Sequence, residues 1–265
     1  MAKIYILIFA IIFSAISLNA QKNKTIKLKD IKGTAIGGII SSPAQVINDA
    51  LKNAKLNALM KAGIHEHINI YQNLFKSETP GEYEEVFTSN VFTNIKGVVT
   101  SVSITDTIAS FDPKSYTLKA EVTIDAKVLK YDKEEDRTFD AWTEGIKSFY
   151  NNNEALSLKI KPTKECYVRM FLIARQQESY ILFPNKYEND FKLTANSQQI
   201  FPSTEIEYIM NTKITQEPHR LIIVLLKEPI PYTGKVAYKP ILDWIFNISP
   251  DQRVVKSIGF SVIKN

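Results

Sequence analysis

The sequence predicts an α+β chain in two units: an N-terminal α/β module with one long helix on an antiparallel sheet, then a mostly antiparallel β-sandwich with a short C-terminal helix. Three observations predict it. Residues 42–63 carry the start, the period and the stop of a single helix. Residues 116–128 alternate apolar and polar side chains without a break. The second half of the chain is a series of short apolar runs separated by Pro and Asn. The expected divisions are 1–20 as a signal peptide, 21–130 as the first unit, 131–153 as a charged neck and 154–265 as the sandwich.

The N-terminus reads as an address. Met1-Ala2-Lys3 is a short basic start, Ile4 to Ile16 is almost wholly apolar, and Leu18-Asn19-Ala20 ends on a small residue, the pattern of a secretory signal. Retained, the same stretch approaches the lower limit of about 17 residues for a membrane-spanning anchor, so cleavage and anchoring are both open. No cysteine follows it to carry a lipid. The expected location is outside the cytoplasm, in the periplasm or on the outer envelope.

Within the first unit, Ile26 and Leu28 alternate with Lys27 and Lys29, which marks a strand with a wet lysine face. Ser42-Pro43-Ala44-Gln45 is a capping box with Pro at the first helical position. Ile47, Ala50, Leu51, Ala54, Ala58 and Ala62 then recur at helical spacing, and Gly63 follows where a left-handed stop belongs. The ladder Ala50, Ala54, Ala58, Ala62 predicts close approach of this helix to a sheet. Val98 to Ile104 begins a weaker strand, and Asp112-Pro113-Lys114 a turn. From Tyr116 to Val128 every even position is apolar and every odd one polar, predicting a long strand with one dry face.

The neck contains Asp132 to Arg137, all charged, and then Asn151-Asn152-Asn153. In the second unit Leu156, Leu158 and Ile160 alternate. Cys166–Ile173, Tyr180–Phe183 and Leu221–Leu226 read as further strands, divided by turn formers such as Pro184-Asn185 and Pro218. A short helix is expected at Ile241–Asn247 and a last strand at Ile258, Phe260, Val262.

Composition bounds the function. Of 265 residues, 45% are apolar and 23% charged, enough to build a core, and a net charge of +5 spread along the chain points to no nucleic-acid partner. One cysteine excludes an intramolecular disulfide. Three histidines leave little material for a metal centre. His65-Glu66-His67 is the most metal-like triplet, yet it follows a helix end and reads better as exposed chain. Cys166 falls on the apolar parity of its strand and reads as core rather than nucleophile. No G-x-S-x-G elbow or phosphate loop occurs. No catalytic residue, cofactor or metal is therefore expected.

The second unit resembles an uncharacterised bacterial family, domain of unknown function 4384. The carrying residues are Asn152 to Leu156, Cys166-Tyr167-Val168, Leu182-Phe183-Pro184-Asn185, Asp243-Trp244-Ile245 and Pro250 to Arg253, over roughly 138–265. The resemblance implies a β-rich accessory domain and brings no catalytic residues. The first unit resembles the N-terminal domain of the flagellar assembly protein T and LPP-type lipoproteins through helix 45–64 and the strand ending near Val128, which implies an envelope module. Asp106-Thr107-Ile108 resembles the short O-glycosylation acceptor of some exported bacterial proteins.

The expected function is that of a non-catalytic exported factor for interaction or assembly at the cell envelope. Its partner would be a protein or a cell-wall polymer, met through Tyr180, Phe183, Asn185, Trp244 and Arg253. The alternative is an exported carbohydrate-binding protein using an exposed tyrosine such as Tyr167, Tyr180, Tyr187, Tyr208 or Tyr232.

Overall fold

The computed structural model describes residues 23–66, 68–77, 95–174, 178–203 and 205–264. The expected signal segment and His67 lie outside these residues. The fold is α+β, as the patterning predicts. β1 (Lys24–Gly37), β2 (Gly97–Asp112) and β3 (Thr117–Lys130) form an antiparallel sheet in the order β1-β3-β2.

Helix α1 (Pro43–Lys61) lies on one face of that sheet. Its capping box is complete, with Gln45 N donating to Ser42 Oγ at 3.2 Å and Ser42 N donating to Gln45 Oε1 at 2.9 Å. At the other end Ile64 N reaches Leu59 O and Gly63 N reaches Met60 O, with Gly63 at φ 79°. These two bonds close the last carbonyls in the left-handed stop that Gly permits. Ala50, Ala54 and Ala58 are fully buried. Beneath them, a Cβ on Gly33 of β1 would stand 2.1 Å from Ala54 N and 2.3 Å from Ala50 O. The helix backbone thus rests directly on the strand. Asn53 and Asn57 donate to Thr34 O and Lys32 O at 2.8 and 2.7 Å, so two carbonyls of the outer strand β1 are satisfied by the helix above it.

In β3 the even positions Ala120, Val122, Ile124, Ala126 and Val128 are buried against α1, as the alternation predicts. Tyr116 departs from it. With φ 52° it sits in the turn before β3, exposed, its ring edge-on to Phe111. The period-two pattern ran one residue into the turn because tyrosine is apolar enough to extend it.

A second helix, α2 (Ile68–Ser77), had no expectation. It is held by Tyr71, whose hydroxyl donates to Gly97 O at 3.0 Å and accepts from Lys96 N at 2.9 Å. Tyr71, Leu74 and Phe75 are buried at helical spacing. That signal was present in the sequence, but only for two turns.

The second unit centres on a five-stranded sheet, β5-β13-β12-β8-β9, comprising β5 (Phe149–Asn151), β8 (Tyr167–Ile173), β9 (Ser179–Phe183), β12 (Gln216–Leu226) and β13 (Arg253–Ile263). All its pairings are antiparallel except β5 with β13. One face carries Met170, Leu172, Leu221, Ile223, Leu225 and Phe260. It packs on two small sheets: β4 (Ala141–Glu144), β7 (Leu158–Pro162) and β10 (Gln199–Phe201), and β6 (Glu154–Leu156) with β11 (Tyr208–Met210). The opposite face carries Phe171, Ile222 and Val224 and is covered by α3 (Tyr238–Asn247). Strand β12 is apolar at six successive positions because both its faces are buried.

The segment expected as a charged neck is tied into the second unit. Residues 141–144 and 149–151 are strands of its sheets, Phe139 and Tyr150 are buried, and Asp136 pairs with both Lys164 and Lys227 at 2.7 Å. These two ammonium groups hold the Asp136 carboxyl well below the usual carboxylate range. Charge density in the sequence does not show that the partners of these charges arrive from 28 and 91 residues away. Tyr131 donates to Phe246 O at 2.5 Å and joins the first unit to α3.

Candidate functional site

A groove of about 830 Å3 opens at the rim of the second core. On one side stand β11 and residues 211–214. On the other are the ends of β8, β9 and β12. Register places its key side chains. Tyr180 lies opposite Leu172, which lies opposite Leu221. His219, two residues before Leu221, therefore shares that face of the sheet.

His219 is the unusual member. It is 7% exposed, stacks on Phe260 with ring centroids 5.5 Å apart, and lines the groove. Neither ring nitrogen has a hydrogen-bond partner among the described residues, and Glu217 Oε2 stands 3.7 Å from Nε2. Burial lowers the imidazole below its ordinary value of 6.5, against an opposing pull from Glu217. The ring is neutral at pH 7, with one nitrogen able to donate and one able to accept. Leaving such a group unpaired costs about 1–3 kcal/mol.

Around it, Glu178, Glu207 and Glu217 outnumber Lys213, so the lining is acidic. Thr212 and Asn152 contribute a hydroxyl and an amide; Asn152 Oδ1 is occupied by Thr212 N at 2.8 Å. Tyr180 is 48% exposed and its hydroxyl donates to Glu178 Oε2 at 3.2 Å. Its ring thus borders the groove with its hydroxyl fixed. The arrangement combines an aromatic face, carboxylate acceptors and a buried imidazole. It contains no thiol and no serine–histidine pair, and no group of three or more metal-ligating side chains occurs among the described residues.

Of the five side chains expected to meet a partner, only Tyr180 lines this groove. Phe183 is fully buried, edge-on to Phe191 and Phe201. Asn185 shapes its own turn: its oxygen accepts from Tyr187 N and Glu188 N at 2.8 and 3.0 Å, and its amide donates to Leu182 O at 2.6 Å. Trp244 packs against Phe171 and Tyr232 and donates to Pro231 O at 3.2 Å. Arg253 is buried, donates to Ile248 O at 2.9 Å and lies over the Phe246 ring. These four hold the domain together. Of the other tyrosines considered, Tyr208 borders the groove but is buried, donating to Glu188.

Cys166 is fully buried and burial pushes its thiol up to about 12, so it is core as its parity predicts. His65 and Glu66 are exposed just beyond α1. Sequence reading missed His219 and Glu188. His219 was legible from its shared parity with Leu221, Ile223 and Leu225. Glu188 was not, since its partners Ser203 and Tyr208 lie 15 and 20 residues further along the chain.

Residues 149–224 match the family described as Domain of unknown function (DUF4384). This covers β5 to most of β12, and with them every residue that lines the groove, but not the Trp244 and Arg253 landmarks. The resemblance of the first unit to flagellar and lipoprotein modules gains no support. No curated protein matches the chain. The groove therefore sits within the matched residues.

Proposed function

We propose that the chain is a non-catalytic binding protein of the cell envelope and that its second unit holds a neutral glycan in the groove beside Tyr180. Export is supported by the signal-like pattern of residues 1–20. One observation carries the glycan reading: the exposed ring of Tyr180, its hydroxyl held by Glu178, borders a recess that Glu207, Asn211 and Glu217 also line. Sugars present what these groups take. The C–H face of a pyranose packs on an aromatic ring, and its hydroxyls donate and accept at once. The glutamates add acceptors and repel sugars that carry carboxylates or sulfates. A protein partner, the other expectation, has less support at this groove, because its lining mixes polar and apolar side chains in a recess rather than offering a broad apolar surface.

Calorimetric titration with neutral oligosaccharides and cell-wall glycan fragments tests the reading. Binding is expected, and Tyr180→Ala weakens it about tenfold, which corresponds to about 1.4 kcal/mol of lost ring contact. Absence of heat with every neutral glycan, or equal affinity in the variant, rejects it.

A further inference from the structure

The far end of the first sheet carries an exposure that neither the groove nor the core explains. β1 ends at Gly37, opposite Leu118, and Phe111 of β2 also lies opposite Leu118, so the three strands finish together. Gly38 to Ser41 is a tight turn closed by Ser41 N donating to Gly38 O at 3.0 Å. Its two central residues are Ile39 and Ile40, 77% and 95% exposed. Turn corners favour Gly, Pro, Asn, Asp and Ser, and β-branched apolar residues there gain neither backbone fit nor burial. Ile36, Phe111 and Tyr116 are exposed at the same end.

This tip stands apart. β3 rises for fourteen residues between it and the junction with α3, about 43 Å at strand spacing. Charge is also scarce there. No charged residue occurs from Gly33 to Asn48, and from Thr107 to Leu118 the only ones are Asp112 and Lys114. Asp112 is engaged locally, accepting from Lys114 N at 2.9 Å and Ser115 Oγ at 2.7 Å.

We propose that this tip docks on a lipid bilayer surface, with Ile39 and Ile40 entering the acyl region. The occupant follows from shape and charge. A single convex turn offers a protein partner little contact area, but it suits a fluid apolar medium that closes around it. The turn keeps its own backbone hydrogen bond, which reduces the unsatisfied polar groups carried into lipid. Tyr116 and Phe111 would lie at the headgroup level that aromatic rings favour, and Lys114 would reach back to the phosphates.

The test is co-sedimentation of the chain from Gln21 onward, which keeps every described element, with vesicles of phosphatidylcholine and phosphatidylglycerol. The chain is expected in the pellet. The double substitution Ile39→Ser, Ile40→Ser lowers partitioning at least tenfold while the melting temperature stays unchanged, because both side chains are already in water. A separate variant, Ile40→Trp, is expected to shift its emission to the blue when vesicles are added. The proposal is overturned by a parent chain that stays in the supernatant, by a serine variant that binds as well as the parent, or by an isoleucine-dependent self-association in place of vesicle binding. None of these outcomes bears on glycan binding, which is read at the other unit.

Discussion

At the residue scale the informative side chain is His219, because its surroundings set its chemistry. Burial lowers its affinity for a proton while the unfolded chain titrates near 6.5. Well above that value neither state is protonated and the residue contributes no pH dependence. As pH falls below 6.5 the unfolded chain takes up a proton that the folded chain resists, so stability falls down to the folded value. Ligand binding should follow the same direction, since charging a buried ring disturbs the wall of the groove. Glycan affinity measured by calorimetry is expected to be flat above pH 6.5 and to weaken only as pH falls through the lowered value of the folded ring. In His219→Gln, which keeps a donor and an acceptor, that decline should be smaller. Glu178, Glu207 and Glu217 share the groove, so an unchanged decline would assign the effect to them. Asn185 shows the converse case: its role in a turn was legible from Pro184-Asn185 alone, because the Asx turn is a local interaction.

At the element scale, α1 and β3 were read almost in full. Cap, period and stop are encoded within each segment, and a face of one parity needs only one covering layer. α2 was not read, because ten residues give too few repeats to separate a helix from an apolar loop. The contact between α1 and β1 supplies a sharp test. The expected alanine ladder was one half of it, and the other half is Gly33, which the sequence alone did not connect to the ladder. Gly33→Ala would press a methyl into the backbone of Ala50 and Ala54 and lift the helix. The expected loss is about 1–3 kcal/mol in urea unfolding, the range for overpacking a tight contact. A variant as stable as the parent would mean the helix rests further from the sheet.

At the scale of the whole molecule, the question is whether the two units act as one. α3 covers one face of the five-stranded sheet and also meets the first unit. A crevice of about 290 Å3 lies between Tyr71, Phe75 and Val98 on one side and Leu242 and Phe246 on the other. One continuous apolar cluster runs from Ile31 through Tyr131 to Val255. Tyr131 bonds Phe246, Lys133 pairs with Asp251 at 3.3 Å, and Lys96 pairs with Glu134 at 2.8 Å across the same junction. The exposed pairs add little, and the shared apolar cluster carries the coupling. Scanning calorimetry should therefore show one cooperative transition. Two resolved transitions would mean that the units unfold independently. A rigid junction also fixes the direction of the lipid-facing tip relative to the groove.

Sequence by itself determined what is local: the signal-like start, the capped helix, the parity of β3, the buried Cys166 and the turn at Asn185. Each follows from backbone periodicity or from hydrogen bonds within a few residues. Tertiary structure decided what depends on distant segments meeting. Asp136 has its lysines, Arg253 its buried place, Gly33 its helix and His219 its groove only after the sheets close, because burial and electrostatic environment are properties of the neighbours a residue acquires.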